Sequence, residues 1–357
     1  MQLIIAKKII PEKTIIFFDE IQESEEAISS LKYFCESAKP YKIICAGSLL
    51  GVKINRFKSS FPVGKVIIEY MYTFDFEEFL WALDKTIWSE EIRNSYFSLS
   101  PTPIHEQLIN LYRTYLCIGG MPEAISNYLK VKEDILSWNK KILSNIIIAY
   151  LADMNKYVFN NQEAVKIEKT YKSIPIILSR KNNKFKYSEI NKNANKRTFE
   201  SSINWLTSSN MICRCDNITK VEPPLKAFID ENKFKLYLND VGLLTSLLDM
   251  NLSDILLDRN FMLKGVIAEN YVVQALTSNS IPLYYWSSGN NAEIDFLLYN
   301  NDGIIPIEVK AGTSIQSKSL NVYMSKYNPQ YGIRISGKNF GFENNIKSIP
   351  LYAVFCI

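Results

Sequence analysis

Two groups of residues in this 357-residue chain have the types and spacing to do chemistry. The first follows TIIFF (14–18), a short apolar run of the kind that forms a strand buried on both faces, which ends abruptly in Asp19-Glu20. A carboxylate at such a strand tip can hold Mg²⁺, directly or through water. The next can orient and deprotonate a water for attack on a terminal phosphate. A second apolar run, YKIICAGS (41–48), ends in Gly47-Ser48, and Ser48 stands where a neighbouring strand would supply a sensor for that phosphate. A buried strand can also end in acidic residues simply because it reaches solvent there.

The second group lies near the carboxy terminus. Asp295 sits in AEIDFLL, taken as one strand, and Glu308 and Lys310 sit two apart in IPIEVKAG, so they point to one face of the next strand. Glu269 lies on the preceding helix. Two carboxylates can hold a divalent metal, Mg²⁺ or Mn²⁺, which polarises a scissile phosphate and lowers the pKa of a bound water. A lysine then positions that water and stabilises the developing charge. Glu269 would complete the metal shell, and Gln316 would donate from outside it. The same residues also read as a buried ion pair, with Glu308 and Lys310 satisfying Asp295 and Glu293 and no metal at all.

The intervening chain must place these groups. A helix over about 24–38, with Ala27, Ile28, Leu31 and Phe34 apolar, joins the first two strands into a parallel crossover unit. The ligand end of such a sheet is where Asp19, Glu20 and Ser48 fall. KVIIEYMYTFDFEEFLWAL (65–83) predicts a strand, a turn and a helix from near Asp75. Residues 105–170 predict helices, broken by the turn CIGGMPEAI (117–125). The polar stretch 181–215 predicts a short helix from Tyr187, a turn, a second helix over 198–208 and a strand, with KFKLYLND (233–240) as the return strand. That is the order of a winged helix. Lys192, Lys196 and Arg197 would then contact phosphates, or the unit would only dock domains. A helix over 260–278, strands at 283–288, 292–299 and 304–312, a helix from near Ser317 and strands around 330–336 and 350–356 complete the chain.

The net charge of +4 permits a nucleic-acid partner without indicating one. No apolar run approaches the length of a bilayer span, about 18 residues or more. The apolar SNIIIAYLA (144–152) reads as a buried helix. The start lacks a signal-peptide pattern, so a cytoplasmic location is expected, with no membrane partner. The six cysteines are scattered, with no CxxC pair, and read as reduced core thiols. His105 is the single histidine, which excludes an HExxH zinc site. Whatever chemistry exists here should run on carboxylates and lysine, with a metal ion as an option.

TIIFFDEIQ, KIICAGSLLGV, FPVGKVIIEYMYTFDFEEFLWAL, YLCIGGMPEAI, KGVIAENYVVQAL, YYWSSGNNAEIDFLL, IPIEVKAG and IPLYAVF, in this order, resemble a family of prokaryotic AAA-type ATP-binding proteins. Its carboxy-terminal part is a domain of unknown function with a PD-(D/E)XK nuclease-like core. The resemblance implies an α/β protein in three parts: a parallel-sheet AAA-type ATPase core over 1–100, a helical and winged-helix region over 101–250, and an α/β nuclease-like domain over 251–357. It implies ATP and Mg²⁺ as cofactors, with Asp19 as magnesium residue, Glu20 as base and Ser48 as sensor. It also implies Asp295, Glu308 and Glu269 as ligands of a second metal beside Lys310. One departure stands out. The sequence contains no GxxxxGK[ST], and FPVGKV (61–66) lacks both the earlier glycine and the hydroxyl after its lysine. The expectation is a chain that starts inside the ATPase domain, truncated there and impaired in nucleotide binding. A misassigned start, a split gene and decay are all open. Two alternatives remain: a Mg²⁺-dependent nuclease independent of ATP, and a non-enzymatic module binding DNA, another nucleic acid or protein. A homo-oligomer is compatible with each.

Overall fold

A computed structural model describes residues 9–37, 39, 41–48, 62, 64–156, 158, 160–180, 182–259, 262–289, 292–313 and 317–357. The chain divides into two compact units. One comprises Met1–Met71 with Asn204–Met211, the other Tyr72–Ile203 with Ile212–Ile357.

In the first unit, β1 (Ile15–Phe18) and β2 (Lys42–Cys45) pair in parallel from Ile15↔Lys42 to Phe18↔Cys45, joined by α1 (Glu25–Glu36). Ser24 caps α1, its Oγ accepting the Ala27 amide at 3.1 Å. One face of the pair packs. Ile16 and Ile28 are buried, and the Phe34 ring meets Phe18 at 6.2 Å and Tyr41 at 5.8 Å. The other face does not: Ile15, Phe17 and Ile44 are each more than half exposed. The expectation of strands buried on both faces is therefore corrected, because among the described residues only one helix covers this sheet. The strand expected in KVIIEYMY is corrected too. Residues 66–72 pair with no strand among the described residues, and Ile67 and Met71 project into solvent.

The second unit opens with α2 (Phe76–Ala82). Its capping box is complete: Asp75 Oδ1 accepts the Glu78 amide at 2.8 Å, and Glu78 Oε2 accepts the Asp75 amide at 3.0 Å. Then come α3 (Thr86–Ser98), α4 (His105–Ile118), α5 (Pro122–Lys130), α6 (Lys141–Lys156) and α7 (Asn161–Leu178). The apolar stretch on α6 is amphipathic rather than wholly buried: Ile147 faces the core and Ile148 solvent. The helix expected from Tyr187 is a single 3₁₀ turn, Tyr187–Glu189, followed by α8 (Lys196–Ser208). The hairpin of β3 (Ile212–Ile218) and β4 (Ile229–Leu238) follows as the order predicts.

The remaining elements are α9 (Val241–Leu247), α10 (Leu252–Leu256), α11 (Lys264–Ser278), β5 (Tyr284–Ser287), β6 (Glu293–Ile294), β7 (Phe296–Asn300), β8 (Gly303–Val309), α12 (Lys318–Tyr327), β9 (Gly332–Ser336), β10 (Gly341–Glu343) and β11 (Ile346–Pro350). They build two sheets. One has the order β4-β3-β5-β6, so the hairpin and the strands after residue 283 share a sheet across the border expected near 250. The other has the order β10-β11-β9-β8-β7, with its central β8-β9-β11 pairings parallel. The final segment, Leu351–Cys356, is a buried 3₁₀ turn rather than a strand. His105 has a packing role: its ring nitrogens meet the Tyr352 hydroxyl at 2.9 Å and the Gly337 carbonyl at 3.1 Å. Of the six cysteines, Cys117, Cys213 and Cys215 are core thiols, whereas Cys35 is exposed. Among the described residues no helix is long and apolar enough to cross a membrane.

The turn Gly119-Gly120 explains why this unit holds together. Gly120 donates its amide to buried Asp240 Oδ2 at 2.6 Å and accepts the Phe74 amide at 2.8 Å. Gly119, at φ 76, packs directly on Gly242. A Cβ on Gly120 would lie 2.1 Å from the Phe74 carbonyl oxygen. Gly120→Ala should therefore cost roughly 1–3 kcal/mol or more, as forced overpacking does. Gly265→Ala, where an added Cβ meets nothing within 4 Å, should be neutral or slightly stabilising. Urea unfolding midpoints check both, and equal effects would refute the close-approach argument.

Candidate functional site

The parallel pairing of β1 and β2 continues past the strands, with Ala46 donating to the Phe18 carbonyl at 2.8 Å and Ile21 to the Ala46 carbonyl at 3.0 Å. The chain then turns at Glu20, which takes a left-handed conformation at φ 48. The turn brings Gln22 back under the strand ends. Its Nε2 donates to Glu20 Oε2 and, at 3.2 Å, to Ser48 Oγ, and Ser48 Oγ lies 3.4 Å from the same Glu20 oxygen. Glu20 and Ser48, 28 residues apart, thus meet through Gln22. Asp19 stands beside them, exposed, its Oδ1 accepting the Glu20 amide at 3.1 Å. Gly47 leaves room for this: a Cβ there would fall 2.2 Å from Gln22 Oε1, and Gln22 is only 2% exposed. An exposed strand-tip carboxylate beside a carboxylate held by a hydroxyl and an amide fits a hydrated magnesium ion with a water to be activated.

The carboxy-terminal group is arranged differently from the sequence expectation. Asp295 does not lie within a strand. It sits at the bend between β6 and β7, where the chain leaves one sheet for the other. Its Oδ2 accepts the Val309 amide at 2.8 Å, so the side chain takes up a donor just past the last β7–β8 pair, Phe296↔Ile307. Burial, and then the charges of Glu269 and Glu308, push the Asp295 carboxyl up to about 7, against the opposing effect of Lys235. Glu308 is buried at the end of β8. Its Oε1 meets Lys310 Nζ at 2.6 Å, and its Oε2 is buried with no hydrogen-bond partner among the described residues.

Lys235, on β4, was not singled out by sequence reading. It is 1% exposed, and its ammonium bridges Glu269 at 3.0 Å and Glu293 at 2.8 Å, with the Tyr285 ring 5.1 Å away. Burial alone would lower its pKa, but Glu269, Glu293 and Asp295 overcome this and raise it. Glu293 also holds Lys184 at 3.0 Å and is held below the usual carboxylate range by the two lysines despite burial. Glu269 accepts further hydrogen bonds from the Tyr237 hydroxyl and from Asn183 Nδ2 at 3.2 Å. The signal in the sequence was a lysine in the alternating run FKLYL, on the same strand face as Tyr237. Glu269, Asp295, Glu308 and Lys310 are therefore neighbours, but Glu269 is occupied by an internal cation. Among the described residues no three His, Cys, Asp or Glu side chains are arranged to hold a metal ion. A metal shell that includes Glu269 does not fit this arrangement. Gln316 lies outside the described residues. In the hairpin region Lys192 and Arg197 are exposed, while Lys196 pairs with Glu231 and Glu200.

Two outcomes follow. Lys235→Met strips Glu269 and Glu293 of a buried partner and should cost roughly 3–5 kcal/mol, the scale for breaking a buried pair. Urea unfolding measures it, and a loss below about 1 kcal/mol, the level of an exposed pair, would refute the role. Asp295 titrates at about 7 in the fold, against an ordinary 3.8. Between those values the folded chain keeps a proton that the unfolded chain has lost. Stability therefore falls as pH rises through this window, and this contribution is gone above the folded value. Asp295→Asn should flatten that slope in a pH series of thermal melts. An unchanged slope would assign the titration elsewhere.

Residues 1–80 match the model of an AAA domain, residues 109–254 a domain of unknown function (DUF8612) and residues 264–354 a domain of unknown function (DUF4143). Comparison with curated proteins and with solved structures gave no match. The AAA match spans both strand ends that carry Asp19, Glu20 and Ser48 and runs on into α2. Each match covers less than half of the chain, with the AAA match at one end and the DUF4143 match at the other.

Proposed function

We propose that the chain acts as an ATPase-like protein in which Glu20 orients and deprotonates the attacking water and Asp19 carries the magnesium of a bound nucleotide. The observation behind this reading is the convergence of Glu20, Gln22 and Ser48 at the carboxyl ends of two parallel strands, the ligand end of such sheets. Magnesium bound there supplies charge neutralisation for the phosphates. The rest falls to side chains. Gln22 holds the Glu20 carboxylate in place, and the Ser48 hydroxyl exchanges its contact with Glu20 for a phosphate oxygen. The sequence holds no GxxxxGK[ST], so the phosphates need other donors, and binding is the first thing to measure. Titration of a fluorescent ATP analogue with Mg²⁺, followed by phosphate release, tests the reading. Glu20→Gln should bind like the wild type and lose turnover by roughly 10²-fold or more, the scale of general-base catalysis. A wild-type chain that binds no nucleotide with Mg²⁺ would rule the reading out.

A second reading places nucleic-acid chemistry at the carboxy-terminal group, in a nuclease-like domain over 251–357. The buried Glu308 Oε2 beside Lys310 favours it, since this oxygen finds no hydrogen-bond partner among the described residues. Lys310 would hold a scissile phosphate or the attacking water, and Lys192 and Arg197 would track the backbone of a bound duplex from a winged-helix hairpin. Plasmid nicking with Mg²⁺ or Mn²⁺, lost in Lys310→Ala, is expected. DNA retained at low salt but never cut would leave a binding module in its place.

A further inference from the structure

A cavity of about 190 Å³ lies within the second unit. Its apolar wall is formed by Ile109 and Leu116 of α4, Ile267 of α11 and Leu351. Three charged residues line it as well: Arg113, Asp258 and Lys264. Arg113 Nη2 meets Asp258 Oδ2 at 2.9 Å, and Lys264 Nζ pairs with Asp258 Oδ1. Two cations thus share one carboxylate, which leaves an excess positive charge beside an apolar hollow.

One further feature points the same way. The first turn of α11 also lines the cavity, and its N-cap, Leu263, offers no side-chain acceptor to the turn's amides. A volume near 150 Å³ is enough to take a benzene ring. The cavity is therefore of the size for one ring or a short branched chain, and smaller than a site for a drug-sized ligand, about 300 Å³ or more.

We propose that this cavity binds a small carboxylate with a ring-sized apolar body. The carboxylate takes the place of Asp258 between Arg113 and Lys264, and the body lies against Ile109, Leu116 and Ile267. Asp258 acts as a built-in competitor, filling the anion position while the cavity is free of ligand.

The test uses the full chain and para-fluorobenzoate as probe, followed by fluorine NMR line broadening. Para-fluorobenzamide has the same shape without the charge, and inorganic phosphate has charge without the ring. Para-fluorobenzoate should bind, and Arg113→Gln or Lys264→Gln should each weaken it roughly tenfold or more, as loss of a charge-assisted contact does. Asp258→Asn should tighten it by removing the competitor. Ile267→Trp, which fills the hollow, should abolish binding in a chain that still melts cooperatively. Equal binding of the benzamide would overturn recognition of charge. Displacement of the probe by phosphate at equal concentration would overturn the need for an apolar body. If the tryptophan variant does not fold, the opposite shifts expected for Arg113→Gln and Asp258→Asn decide. Shifts of the same sign, or none, overturn the proposal.

Discussion

A lysine without water must be matched by carboxylates, and the second unit is arranged around this demand. Lys235 reaches its buried position from β4, and the groups that compensate it come from three places: Glu269 on α11, Glu293 on β6 and, at longer range, Asp295 at the β6–β7 bend. An uncompensated ammonium there would cost several kcal/mol. The hairpin therefore cannot be moved away from α11 or β6 without leaving charges unpaired. This is one reason why β3 and β4 belong to the same sheet as β5 and β6 and do not form a separate module.

The same helix fixes the rest of β4 by polar contacts in succession. Glu269 takes Lys235 and Tyr237. Asn270 grips both backbone groups of Leu238, donating at 3.1 Å and accepting at 3.0 Å, as a neighbouring strand would. Gln274 accepts the Val241 amide at 2.9 Å and donates to Tyr115 at 2.8 Å and to Thr73 at 2.9 Å. Asp240 lies between them, fully buried. Burial raises its carboxyl to about 6, against the pull of the Gly120 and Leu243 amides. An apolar helix could have packed on this strand in more than one register. Polar groups that must each find a partner remove that freedom, because a slip leaves several buried donors or acceptors unmet.

This distinction between apolar pattern and polar partnership also governs what the sequence could reveal. The helices over 105–170, the hairpin and the helix start near Asp75 were legible because periodicity and length are local properties. The left-handed turn at Glu20 was not, because nothing local requires it. It is needed to bring Gln22 beneath Ser48, a partner from another strand. KVIIEYMY has the composition of a strand, but pairing requires a neighbour, and none of the described residues provides one. Asp295, Glu308 and Lys310 were visible by type and spacing. The strand break at Asp295 was not, since it depends on a long-range bond to Val309. Lys235 escaped because a lysine in an alternating run normally faces solvent, as its neighbour Lys233 does.

The electrostatics of the carboxy-terminal group limit what it can do. Four carboxylates, Glu269, Glu293, Asp295 and Glu308, stand with three ammonium groups, Lys184, Lys235 and Lys310. Asp295 is the carboxyl raised to about 7, first by its burial and then by the charges of Glu269 and Glu308. Near neutral pH this group takes or loses a proton at Asp295. Glu308 is paired with Lys310 and Glu269 with Lys235, so Asp295 is the carboxylate of this group whose one direct hydrogen bond among the described residues comes from a backbone amide, that of Val309. Glu269 thus serves the fold by keeping Lys235 in place.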